Sequence, residues 1–177
     1  GVGKTSIAKS IALAMGRKYV RVALGAIGNV QVLRGQSKVF PDAEPGHIVK
    51  ALIRAGSMNP LILLDEIDKV SGNQGLLGDV MAALLEILDP EQNNHFVDHY
   101  IDYPVDHSKV FFICTANNLG SLSAALLDRM EIIGLEGYIE QEKFHIAKNY
   151  LVPKQIENHG LKDYKVSIQD ATVRNVI

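Results

Sequence analysis

Four consecutive aliphatic residues followed by two adjacent carboxylates, Leu61-Ile62-Leu63-Leu64-Asp65-Glu66, constrain this chain more than any other feature of its sequence. An alternating pattern marks a strand with one wet face, whereas an unbroken apolar run marks a strand covered on both. Such a strand belongs in a parallel sheet wrapped by helices. It would deliver Asp65 and Glu66 to the carboxyl edge, where open α/β sheets bind their ligands. Taken alone, the run also fits a core strand that ends in a solvated acidic turn.

The rest of the chain supplies the helices and strands that this sheet needs. Apolar β-type runs predict strands over 19–24, 61–65, 110–115 and 131–135, alternating with helical periodicity over 4–15, 46–55 and 79–88. Gly16, Gly56 and Asp89-Pro90 supply the stop signals. After Gly137 the strand pattern ends, and 141–151, 153–158 and 169–177 have helical character. The predicted fold is therefore α/β, with a nucleotide-binding subdomain over 1–137 and the beginning of a small helical lid over 138–177. Hydrophobic residues make up 47% of the chain, enough to bury a core, and a net charge of -2 without a Lys/Arg cluster argues against a nucleic-acid groove. No apolar run approaches the length of a membrane span. Cys114, the single cysteine, cannot form an internal disulfide and falls within an apolar run, so a buried inert thiol is expected. The stretches 25–46 and 71–78 carry the loops expected to be functional.

A second chemical element stands at the start of the chain. Gly1-Val2-Gly3-Lys4-Thr5-Ser6 opens an amphipathic helix and matches the second half of a phosphate-binding loop. Glycine lets backbone N–H groups turn inward around phosphate oxygens, and the helix start adds partial positive charge. Lys4 would reach the β and γ phosphates of ATP, while the Thr5 hydroxyl and Asp65 would hold Mg2+. Glu66 would then polarise the attacking water as general base. The strand that feeds such a loop would precede Gly1, so its neighbours are expected to lose a ladder partner and the isolated chain to be a poor ATPase.

Two further elements complete the set. Val110-Phe111-Phe112-Ile113-Cys114-Thr115-Ala116-Asn117 is another apolar run ending in a neutral amide. Asn117 can orient water against the γ-phosphate, or it can cap the turn before the next helix. Arg129, in Leu126-Leu127-Asp128-Arg129-Met130, can project into a neighbouring subunit's nucleotide, or it can pair with Asp128 on the surface. His95 and His99 stand four apart, but the Glu of H-E-x-x-H is missing between them, so neither is assigned a metal.

In this order the four elements resemble Walker A, Walker B, sensor 1 and the arginine finger of the AAA+ ATPases. Within that class, the segments from Pro60 to Val70, Ala83 to Asn93, Asp106 to Asn117, Leu127 to Glu131 and Tyr150 to Pro153 resemble the ATPase domain of Lon-type proteases. The run Leu84-Leu85-Glu86-Ile87-Leu88-Asp89-Pro90-Glu91-Gln92-Asn93 is the most specific of them. The resemblance implies a homohexamer that hydrolyses ATP to pull unfolded or damaged protein substrates into a peptidase chamber, with the Ser-Lys peptidase and a second sensor arginine lying past Ile177. It makes Tyr138 and Ile146 candidates for the adenine pocket, ordinary packing of an amphipathic helix being the alternative, and it implies bacterial cytoplasm, with the mitochondrial matrix as the alternative. Clamp loaders and branch-migration helicases share the nucleotide motifs but not the 84–93 run.

One region departs from the family pattern. Family members carry a charged run leading to an aromatic-aliphatic pore loop; here 25–42 has largely lost those charges, and Phe40 is followed by Pro41. Phe40 takes the place of the aromatic gripping residue. Leu76-Leu77 alters a second pore loop, and Gly78-Asp79-Val80 replaces the usual Gly-Asp-Pro. These departures leave open a degenerate paralogue that binds nucleotide in a regulatory role.

Overall fold

The computed structural model describes residues 3–25, 29–70 and 76–177, which divide into two compact units with a boundary between Ile133 and Gly134. In the first unit, β1 (Tyr19–Ala23), β2 (Leu61–Asp65) and β5 (Phe111–Cys114) form a parallel sheet in the order β1-β2-β5. Val22 pairs with Leu64 on one side of β2, and Leu64 with Cys114 on the other. Every residue of β2 is buried. The reason is visible in the layers. Leu61 and Leu63 pack with Ala8 and Ala12 of α1 (Lys4–Ala14), while Ile62 and Leu64 join the larger core on the opposite face. That core takes Ile48, Ala51 and Leu52 from α3 (His47–Ala55) and Val80, Ala83, Leu84 and Ile87 from α4 (Leu76–Leu88). The short helices α2 (Gln31–Arg34) and α5 (Ala124–Leu127) add Leu33 and Leu126 to it.

Two sequence expectations change in this unit. No strand forms over 131–135: these residues have no ladder partner, and Ile132 and Ile133 are exposed. An extended segment becomes a strand only when its N–H and C=O groups find a neighbour. Correspondingly, among the described residues β5 has a ladder on one side only, and Phe111 is 41% exposed although the β2 residue opposite it, Leu61, is fully buried. The segment around His95 and His99, for which no element was predicted, is not helical despite the four-residue spacing of the two histidines. Asn93–His95 is a 3-10 turn, and an antiparallel hairpin of β3 (Phe96–Asp98) and β4 (Tyr103–Val105) follows. Second, residues 76–78 of the expected second loop belong to α4, while 71–75 lie outside the described residues.

The second unit is helical. α6 (Glu140–Ile146) continues through a π-helical turn, Ala147–Leu151, into α7 (Val152–Asn158), and α8 (Asp170–Val176) follows. The expected break between 151 and 153 is thus only a widened turn. Pro153 lacks the N–H that would continue the α ladder, and a π turn is one way to accommodate that loss. Phe144 and Val173 are its buried apolar side chains, with the Arg174 guanidinium 4.1 Å above the Phe144 ring. Lys148 pairs with Asp170 at 2.8 Å.

Candidate nucleotide site

The carboxyl end of β2 and the start of α1 meet around a compact set of polar groups. Gly3 caps α1 in the left-handed region, with φ 84°. A side chain there would be strained, which is why a helix entered this way starts from glycine. Lys4, the first residue of α1, donates from Nζ to the Ala116 carbonyl and, at 2.6 Å, to the Asn117 side-chain oxygen. The loop after β5 is fixed in turn by Asp68, whose carboxylate accepts from the N–H groups of Asn117 and Asn118 at 3.1 and 3.3 Å. Asn118, rather than Asn117, caps the following turn by accepting from the Gly120 N–H.

Asp65 is buried and held by two partners. The Thr115 hydroxyl donates to one carboxylate oxygen, and Arg21 of β1 bonds the other, with Nη2 at 2.6 Å. Burial by itself pushes this carboxyl up. The Thr115 and Arg21 hydrogen bonds, with the charges of Arg21 and Lys4, outweigh burial and hold it below the ordinary value. An ionised carboxylate near a lysine at a helix start has the donor set suited to Mg2+ and a polyphosphate. Thr5 and Ser6 lie exposed on the first turn of that helix.

Glu66 follows in the left-handed region at φ 62°, a conformation that costs a non-glycine residue on the order of 1–3 kcal/mol and clusters at functional sites. Its N–H donates to the Thr115 hydroxyl at 3.0 Å, and its carboxylate pairs with Lys69 at 2.8 Å. The opposing backbone must come close. A Cβ on Gly25 would stand 2.7 Å from Glu66 Oε2. The solvated acidic turn is therefore not what the chain builds at Asp65. Thr115 is the member of this site that sequence inspection missed, because a hydroxyl at the end of an apolar strand carries no signal until the pairing places it beside Asp65.

The remaining sequence-predicted residues lie elsewhere. Gly1 and Val2 are outside the described residues. Arg129 pairs with Asp89 at 3.1 Å rather than with Asp128. Tyr138 and Ile146 belong to the helical unit. Phe40, 59% exposed, stands on the loop between α2 and α3. The base of that loop is closed by the Gln36 N–H on the Glu44 carbonyl and by the Gly46 N–H on the buried Asp98 carboxylate at 2.7 Å. With the hairpin turn at 99–102, the loop lines an open cleft of about 720 Å3, in which the Lys38 ammonium lies 5.0 Å from the Tyr100 ring centre.

Lys4, at a glycine-capped helix start, is bonded to the asparagine after β5, beside a buried aspartate that closes a parallel strand, a geometry suited to a nucleotide. The model of the ATPase family associated with various cellular activities (AAA) matches residues 1–137. The chain belongs to the AAA family. Among curated proteins, it is 51% identical over all 177 residues to Lon protease 2 of Herpetosiphon aurantiacus, 52% to Lon protease 1 of Myxococcus xanthus, and 50% to Lon protease 1 of Bacillus subtilis. It spans 22%, 21% and 23% of their respective lengths. Among the described residues, no helix of this AAA chain is long and apolar enough to cross a membrane.

Proposed function

We propose that this chain is the ATP-hydrolysing motor module of a Lon-like ATP-dependent protease, with the nucleotide-binding subdomain over 1–137 and the start of a helical lid over 138–177. The observation that carries the reading is the meeting of Lys4, Asn117, Asp65 and Glu66 at one edge of the sheet. Lys4 and the backbone of 1–6 bind the phosphates, and Thr5 and Asp65 hold Mg2+. The metal supplies charge neutralisation on the phosphate oxygens. Glu66 takes a proton from the attacking water, which requires it to leave Lys69 or share it. Asn117 orients that water. Arg129 acts on the nucleotide of a neighbouring subunit in a homohexamer, in keeping with its lying on a different element from the Lys4 cluster. Tyr138 and Ile146 cover the adenine, and Phe40 grips unfolded protein at the exposed tip of its loop. The similarity to bacterial Lon proteases supports a bacterial cytoplasmic setting.

The test is made in the full-length protein. Glu66→Gln is expected to bind ATP at parental affinity while hydrolysis falls roughly 100-fold or more, and Lys4→Ala is expected to lose ATP binding. Parental hydrolysis by Glu66→Gln would remove Glu66 from the general-base role. Parental ATP affinity in Lys4→Ala would refute the phosphate site itself.

A further inference from the structure

The Arg129 side chain is ordered within its own subunit before any neighbour arrives. Its Nε and Nη2 both donate to Asp89 Oδ2, at 3.3 and 3.1 Å, and its Nη1 donates to the Ala125 carbonyl at 2.8 Å. A guanidinium carries five N–H donors, so these bonds leave one on each terminal nitrogen. The side chain is 31% exposed. Asp89 is fixed from the other side: its Oδ1 accepts from the Glu91 N–H at 3.0 Å and its Oδ2 from Gln92 Nε2 at 2.9 Å. The turn is tightened by the Gln92 and Asn93 N–H groups on the Asp89 carbonyl. The Glu91 hydrogen bond, and then Arg129, hold the Asp89 carboxyl below its ordinary value. Asp128, next to Arg129 in the chain, forms no ion pair with it in the structure.

We infer that Asp89 is a positioning residue for Arg129, fixing the guanidinium on the end of α4 so that its two remaining donors are presented to the phosphates bound by the adjacent subunit. The inference rests on reading Arg129 as a finger. An unrestrained arginine samples many rotamers, and a charge displaced by an ångström can forfeit about 100-fold in rate. A buried aspartate braced by its own turn removes that freedom. It also couples the finger to α4, the helix that follows the Asp65–Glu66 strand end and its 3-10 turn, Ile67–Val70.

The experiment compares Asp89→Asn, Asp89→Glu, Arg129→Ala and the double variant Asp89→Asn/Arg129→Ala in the full-length assembled protein, measuring ATP affinity and kcat separately. Asp89→Asn is expected to lower kcat about tenfold or more at unchanged ATP affinity. Asp89→Glu, which keeps the charge, should recover part of that loss, and the double variant should be no slower than Arg129→Ala. A variant that merely loosens the fold would weaken ATP binding as well, and would count against the inference. So would losses that multiply in the double variant, or parental kcat in Asp89→Asn while Arg129→Ala is impaired. Parental kcat in Arg129→Ala would instead remove the finger reading, and this inference with it.

Discussion

Replacing Thr115 with valine isolates the hydroxyl that joins Asp65 to Glu66. The two side chains have nearly the same shape, so packing between β5 and β2 is preserved while two hydrogen bonds disappear. One is the donation to the Asp65 carboxylate; the other is the acceptance of the Glu66 N–H at 3.0 Å. A bond to a charged group contributes about 1.5–3 kcal/mol, and an orphaned buried donor costs about 1–3 kcal/mol. Arg21 still holds Asp65, and Glu66 lies close enough to the surface for water to replace part of the loss, so roughly 2–4 kcal/mol is the working figure. For a domain of this size that corresponds to a fall in Tm of about 4–16 °C. The pH dependence adds a second signature. Because the folded-state pKa of Asp65 is depressed, its stabilisation is present above the unfolded value near 3.8 and is lost as pH falls through the folded value. The gap between parent and variant should therefore narrow on acidification below about pH 4. Thermal unfolding from pH 7 to pH 3, with ATP hydrolysis at pH 7, tests both points, and Thr115→Ser, which keeps the hydroxyl, is the control. A valine variant that melts within 1 °C of the parent (a small fraction of the ~4 °C minimum) and hydrolyses ATP at the parental rate would refute the assignment.

Two further outcomes follow from other parts of the first unit. Gly46→Ala would place a Cβ 1.9 Å from the Leu33 carbonyl oxygen, a backbone atom that cannot swing aside. A loss of about 1–3 kcal/mol or more is expected in thermal unfolding, with the cleft beside Phe40 distorted, and an unchanged Tm would show that the approach is not so close. His107 is fully buried against Phe96, with ring centres 5.1 Å apart, and burial lowers its pKa to about 4. The unfolded chain takes up this proton near pH 6.5 and the folded chain does not, so stability falls from about pH 6.5 to pH 4, by roughly 3 kcal/mol in all. His107→Phe should flatten that slope in denaturant unfolding, and an unaltered slope would exclude His107 as its source.

What the sequence made legible, and what it did not, divides along a physical line. Patterns that depend on near neighbours in the chain were readable: the two-faced burial of β2 in Leu61-Ile62-Leu63-Leu64, and the glycine-lysine start of α1. Patterns completed by a partner distant in sequence were not. Residues 131–135 have the composition of a strand but no ladder to join, and the hairpin of Phe96-Val97-Asp98 with Tyr103–Val105 was not among the predicted strands because its pairing is tertiary. The same line runs through the site. Lys4, Asp65, Glu66 and Asn117 could be named because each ends or begins a recognisable element. Thr115 and Asp89 could not, since each takes its meaning from a side chain 50 or 40 residues away. Residues that act by holding other residues leave their trace in three dimensions first: Thr115 at the end of β5 holds Asp65, and Asp89 after α4 holds Arg129.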